Sequence, residues 1–214
     1  MTKMLLSVGV ALFLLVMPAS AEWLQWSEPH RASTLSLWDR VYEIDTSSDG
    51  YWYADVAVGN GTDMARAVQE SNFGGSWVDF MATTVAESGA ASGNVGSHSS
   101  LRAQMSLEQA TWLDISWAFE VEREGAAAGE TSLRIEELES ESPLLELSAS
   151  GTGSGATSIQ LNPGIYLVSM FVSSEVESGG TASTTALIFM DFVVPAPGGL
   201  LICFMLLLRP RRRR

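Results

Sequence analysis

The chain has 214 residues and a formal net charge of −13, and 46% of its residues are hydrophobic. Residues 22–194 hold six arginines, no lysine and all 25 acidic residues, so this middle part carries a net charge of −19. Such an acidic surface repels phosphate backbones and anionic lipids, which argues against nucleic acid as a partner. The single cysteine, Cys203, excludes an intramolecular disulfide.

The N-terminus has the pattern of a secretory signal peptide. Lys3 precedes an apolar run over residues 4–16, and Ala19, Ser20 and Ala21 follow shortly before Glu22. A positive start, an apolar run shorter than a membrane span and a small-x-small site are typical of such signals. We expect a signal helix within residues 1–21 and cleavage by signal peptidase between Ala21 and Glu22.

Residues 22–194 form the predicted domain, and their hydrophobic pattern is that of β-strands. Apolar side chains alternate over 113–121, and similar alternation occurs over 35–44, 51–58, 77–85, 101–107 and 133–138. A period of two indicates half-buried strands. The nearly continuous apolar runs 165–172 and 186–194 are predicted to be central strands buried on both faces. Residues 22–33 show no clear period.

Turn signals separate these runs at 45–50, 88–96, 125–129, 151–155 and 179–180. Asn60-Gly61 predicts a two-residue type I′ hairpin turn. Many short strands with regular turn signals predict an all-β fold, a single antiparallel β-sandwich of jelly-roll or Greek-key type.

A short motif, Leu161-Asn-Pro-Gly-Ile-Tyr166, supports that architecture. Pro163 and Gly164 suit the centre of a type II turn that opens a buried strand. The motif resembles the tyrosine corner of Greek-key sandwiches such as fibronectin type III domains. The resemblance implies a structural Tyr166 whose hydroxyl bonds to the backbone a few residues upstream.

One loop shows part of a calcium-binding pattern. Asp45, Ser47, Asp49 and Gly50 match the first half of a calcium loop, with alternating oxygen ligands and a glycine at the sharp turn. Val56 stands where a bidentate glutamate is required. A solvated hairpin loop is therefore favoured, calcium is only a weak candidate at Asp45, Ser47 and Asp49, and no other cofactor is predicted.

The polar residues form no catalytic pattern. The serine within residues 151–155 is out of step with a G-x-S-x-G elbow, and His30 and His98 have no spaced partner. Glutamates recur at 120, 122 and 124 and again at 136, 137, 139 and 141, where a run along one strand is typical of a solvated face. We predict no catalytic residue and no enzymatic activity. A secreted hydrolase is the weakest alternative.

Aromatic residues suggest a different alternative. All seven tryptophans lie within residues 22–194, and exposed aromatic faces on a sandwich can stack on sugar rings, as in carbohydrate-binding modules. Alternation places Trp117 in the core register. In Tyr51-Trp52-Tyr53 it allows either Trp52 or the two tyrosines to be exposed.

The C-terminal segment, residues 195–214, has three parts. Pro195, Ala196 and Pro197 precede an apolar stretch over 198–208, and Arg209 and four terminal arginines follow, Arg211, Arg212, Arg213 and Arg214. As a helix the apolar stretch spans about 16 Å, against a hydrocarbon core of about 30 Å. We expect transient membrane contact, with the arginines held in the cytoplasm.

This order resembles the PEP-CTERM sorting signal of Gram-negative bacteria. The resemblance implies a C-terminal hydrophobic sorting helix and processing near the proline motif by an exosortase-like membrane enzyme. Ala196 replaces the motif's glutamate, and Gly198-Gly199 leaves a rhomboid-type system as an alternative. The resemblance also implies a protein at the cell surface, outer membrane or outside the cell after transient inner-membrane retention, associated with extracellular polysaccharide.

The sequence therefore predicts an exported, non-enzymatic β-sandwich that acts as a structural component of an extracellular or biofilm matrix. The alternative is a carbohydrate-binding module with exposed aromatics.

Overall fold

A computed structural model describes residues 23–46, 50–89, 93–140 and 142–194, all within the predicted domain. Regular structure in these residues consists of ten β-strands, which confirms the all-β class. The strands are β1 (Leu24–Leu37), β2 (Arg40–Thr46), β3 (Trp52–Asn60), β4 (Asp63–Phe73), β5 (Trp77–Ser88), β6 (Val95–Leu107), β7 (Thr111–Glu137), β8 (Ser142–Ala149), β9 (Gly153–Leu161) and β10 (Gly164–Val193).

All ladders are antiparallel, and the two long strands β7 and β10 hold the sheet together. The first half of β10 pairs with β6 and with the second half of β7, whose other side pairs with β8. The second half of β10 pairs with β5 and with the first half of β7, whose other side pairs with β9. We call the first group, with β1 and β2, the β6 lobe. The second group, with β3 and β4, is the β5 lobe.

Glycines mark the junction between the lobes. Gly125 lies inside β7, and Gly179 and Gly180 lie inside β10, with register shifts between Val176 and Gly180. The predicted turns at 125–129 and 179–180 are therefore wrong. Glycine permits bulges with positive φ, so each strand continues from one lobe into the other without reversing.

The core lies between the two lobes. Large side chains of both fill one part of it, including Phe80, Leu101, Ile115, Leu133 and Met170, all at most 1% exposed. Near the junction, β1 and β6 lie close against β4 and β5 without a hydrogen-bonded ladder between them. Small residues line that contact, and the Ser97 hydroxyl donates to the carbonyl of Val85 across it, 2.9 Å away.

The strand β1 explains why residues 22–33 show no period. A bulge between Ser27 and His30, with Glu28 at φ 51°, shifts the register. Before the bulge the buried side chains have even residue numbers, as Leu24 does. After the bulge they have odd residue numbers, as Leu35 does. A period of two interrupted by one shift cannot be recognised in a short stretch.

Two predicted boundaries in the hairpins are also wrong. Residues 35–44 form two strands, because a two-residue loop of Trp38 and Asp39 connects β1 to β2. The β3–β4 loop consists of Gly61 and Thr62, not Asn60 and Gly61, since Asn60 pairs with Asp63. Only Gly61 of these two loop residues has positive φ, at 68°, which fits a type II′ turn.

Tyr166 is 1% exposed, and its hydroxyl donates a hydrogen bond to the carbonyl of Asn162, 2.7 Å away. Burial, followed by the charge of Glu137, raises the pKa of the Tyr166 phenol. The phenol therefore remains a neutral donor that ties the start of β10 to the carbonyl of Asn162. The predicted type II turn is wrong, because Gly164 is the first residue of β10 and lacks the positive φ that such a turn requires.

The predicted signal helix and the sorting segment 195–214 lie outside the described residues. Within the described part of the chain, no helix has the length and hydrophobicity of a membrane span.

Candidate functional site

The outer face of the β5 lobe carries exposed aromatic and apolar side chains at its centre. Alternation along β5 and β10 directs the side chains of Val78 and Ile188 into the core. It directs those of Trp77, Leu187 and Phe189 outward. Leu187 is 46% exposed and Phe189 44%. The prediction that residues 186–194 are buried on both faces is therefore wrong, because no second layer formed by the described residues covers this side of β10.

Trp77 and Phe189 form the main feature of this face. Their ring centroids lie 6.4 Å apart, and the ring planes differ by 24°. The ladder explains the contact: Trp77 pairs with Asp191, two residues from Phe189, so the two rings are diagonal neighbours on one face. We call Trp77, Leu187 and Phe189 the aromatic platform.

Carboxylates surround the platform. Asp79 stands directly opposite Phe189, and Asp191 stands opposite Trp77 on one side and Asp114 on the other. The Asp114 carboxylate accepts a hydrogen bond from the Ser158 hydroxyl on β9. Desolvation, followed by the charge of Glu70, raises the pKa of Asp79.

Two shallow recesses flank Phe189. One has a volume of about 580 Å³, and its walls include the polar residues Asp114, Ser116, Ser158 and Asp191. The other, of about 230 Å³, lies between Asp79, Leu187 and Phe189. Both share Ser116 and Phe189, so Phe189 forms a ridge between two open depressions whose walls combine apolar side chains with carboxylates and hydroxyls.

Further aromatics extend the same face toward its edges. Tyr51 and Tyr53 are 58% and 52% exposed, whereas Trp52 between them is partly buried. Trp112 on β7 is 43% exposed, and Trp117 packs against the core. The two tyrosines, and not Trp52, are thus the exposed members of the sequence triplet.

The calcium candidates are described only in part. The Asp45 carboxylate lies 3.7 Å from Nε2 of His30, while Ser47 and Asp49 fall outside the described residues. The carbonyl of Gly50 accepts a hydrogen bond of 2.6 Å from Arg31, so a guanidinium occupies the end of this loop. The described residues contain no group of three acidic, histidine or cysteine side chains placed to hold a metal.

The glutamate runs lie apart from one another. Glu120, Glu122 and Glu124 are exposed and continue the outer face of the β5 lobe toward the junction. Glu136 lies in the β6 lobe and pairs with Arg134 at 2.6 Å. His98, also in the β6 lobe, stacks on Phe171 with 6.1 Å between centroids.

Comparisons with known proteins give no family for this chain. No family model and no curated protein matches it. Among solved structures, a CBM4 protein has a TM-score of 0.27 at 11% identity, with 61% of this chain and 76% of that chain covered. TmCBM61 in complex with β-1,4-galactotriose has a TM-score of 0.25 at 13% identity, with 53% and 68% covered. Scores of this size establish neither a shared family nor a shared ligand.

Sequence reasoning missed the central residues of this face. Trp77 and Phe189 are 112 positions apart, so only the ladder between β5 and β10 brings them together. The sequence of residues 186–192 does contain a weak indication of this face. The acidic Asp191 alternates in step with Leu187 and Phe189, so the three side chains lie on the same face of the strand. One carboxylate in an apolar strand indicates which face meets water.

Proposed function

We propose that the protein is a non-catalytic carbohydrate-binding domain and that the aromatic platform is its binding surface. The observation that carries this proposal is the nearly parallel pair formed by the half-buried Trp77 and the exposed Phe189 on the outer face of the β5 lobe. In a folded domain, exposed aromatic groups gathered on one face mark an interaction site more often than chance exposure.

The chemistry of the surroundings supports a sugar as ligand. The C–H groups of a pyranose ring pack against an aromatic face, while carboxylates and hydroxyls accept and donate hydrogen bonds at the ring's edge. Asp79, Asp114 and Ser116 supply such groups beside Phe189. A ridge with two open depressions suits an extended chain that passes across it.

The proposed setting is extracellular. We interpret the two lobes as a β-sandwich that is exported by the signal peptide over 1–21 and sorted to the surface through residues 195–214. A matrix role is compatible with glycan binding, since a domain that binds polysaccharide is retained in a polysaccharide matrix. Mass spectrometry of surface and secreted protein tests the sorting: a C-terminus near Pro197 supports it, and an intact Arg214 contradicts it.

Affinity electrophoresis tests the binding function. Gels containing single polysaccharides should retard the wild-type domain, and Trp77→Ala should migrate as in a gel without polysaccharide. Tyr42→Ala is the matched control, because Tyr42 is 42% exposed but lies on β2 of the other lobe. The ligand should be recovered with unchanged chain length. Shortened chains would instead support the hydrolase alternative.

A further inference from the structure

Each ring of the aromatic platform has an aspartate directly opposite it on the neighbouring strand. Asp79 faces Phe189, and Asp191 faces Trp77. On the next ladder Asp191 also faces Asp114, so two carboxylates stand directly opposite each other on one side of the sheet. Directly opposed like charges weaken strand pairing.

Nothing among the described residues neutralises these aspartates. The ion pairs there join His30 to Asp45, Arg66 to Asp55 and Arg134 to Glu136. Arg66 lies on the same outer face, but Asp55 holds it with two hydrogen bonds of 2.9 and 2.7 Å. Glu70, one strand away from Asp79, adds a further negative charge.

We propose, on the basis of the carbohydrate-binding function above, that the bound glycan carries free, protonated amino groups. An ammonium group placed between a ring face and an aspartate gains a cation–π interaction and an ion pair together. The platform offers this pairing twice, at Trp77 with Asp191 and at Phe189 with Asp79. A glycan of uronic acids would bring its carboxylates against the same aspartates.

Binding that depends on the aspartates can be distinguished from binding by ring stacking alone, because only the former depends on the charge of the ligand. Two oligosaccharides with the same backbone, one of glucosamine and one of N-acetylglucosamine, present the same ring faces and differ in charge. If stacking alone determined binding, the two would bind equally. With opposed aspartates at the platform, the free amine form should bind about threefold or more tightly.

Isothermal titration in a mildly acidic buffer measures the preference directly. The probes are glucosamine, N-acetylglucosamine and uronic acid oligomers of equal length. Wild-type protein should bind the glucosamine oligomer best, and the advantage should decline with added salt. Asp191→Asn should reduce the affinity for that oligomer about threefold and leave the affinity for the N-acetylated oligomer unchanged.

Glu122→Gln is the matched control, since it removes one exposed acid from the same face at a distance from the platform. It should retain the wild-type preference. Equal binding of the two glucosamine forms, or tighter binding of the uronic acid oligomer, overturns the amino-sugar inference and leaves carbohydrate binding intact. The carbohydrate-binding proposal and the amino-sugar inference are both overturned if no oligomer binds and if Trp77→Ala and the wild-type protein migrate alike in the polysaccharide gels.

Discussion

Gly125 of β7 stands directly opposite Gly180 of β10, at the junction where both strands pass from one lobe to the other. A side-chain carbon added to Gly125 would overlap the carbonyl oxygen of Gly179, and one added to Gly180 would overlap that of Glu124. The backbones of β7 and β10 thus approach each other at this point more closely than any other residue type permits.

Gly125→Ala should therefore destabilise the domain by about 2 kcal/mol or more, because Gly125 has a φ of 77° in addition to the overlap. The free energy of unfolding in urea measures the effect. Gly151→Ala is the control, since nothing lies within 4 Å of the added carbon there. Equal stabilities of the two variants would contradict the proposed role of the junction.

Tyr166→Phe should cost about 1 kcal/mol of stability, because it removes the hydrogen bond to Asn162 and leaves the ring packed in the core. Urea unfolding of Tyr166→Phe and of the exposed variant Tyr53→Phe measures the difference. The exposed variant should remain within about 0.5 kcal/mol of wild type. A smaller loss for Tyr166→Phe than for Tyr53→Phe would contradict a structural role of the corner.

Ser174→Ala should destabilise the junction by about 1–3 kcal/mol. The Ser174 hydroxyl is fully buried, 3.0 Å from the carbonyl of Thr84 and 3.0 Å from the hydroxyl of Thr184, so its loss leaves buried polar atoms without a partner. Thermal unfolding should show a lowered Tm, whereas Ser148→Ala on the exposed side of β8 should not. An unchanged Tm for Ser174→Ala would mean that the network adds no stability.

Asp79→Asn should slightly stabilise the domain at neutral pH. Desolvation and the charge of Glu70 raise the pKa of the Asp79 carboxyl, so its ionised form is less favourable in the folded state than in the unfolded chain. The cost is present above the folded pKa and is lost as the pH falls toward the unfolded value of about 3.9. Because the group is exposed, the gain should be at most about 0.5 kcal/mol.

Urea unfolding at neutral and acidic pH checks this sign. The variant should be the more stable at neutral pH and equal to wild type in acid. A wild-type protein that is more stable than the variant at neutral pH would contradict the unfavourable effect assigned to the ionised Asp79 carboxylate. A lower affinity of the same variant for a cationic glycan would show that the Asp79 carboxylate, although it lowers stability, contributes to binding.

The sequence predicts single strands well where the alternation is regular, as in residues 113–121, because burial of one face imposes a period of two. It does not reveal that β7 and β10 each continue through glycines, because the same residues also form turns and only the neighbouring ladders distinguish a bulge from a reversal. The platform could not be predicted either. Phe189 lies in an apolar run, and it is exposed because none of the ten described strands covers the outer face of the β5 lobe.

The most direct test of the carbohydrate-binding proposal is a calorimetric titration of wild type and Trp77→Ala with one glycan that retards the wild-type protein. Removing the Trp77 ring should weaken binding about tenfold. Because the half-buried ring packs against Phe189, Trp77→Ala should also lower Tm somewhat, so the titration is carried out well below the Tm of the variant. An unchanged Kd for the folded Trp77→Ala variant would contradict the assignment of the aromatic platform as the binding surface.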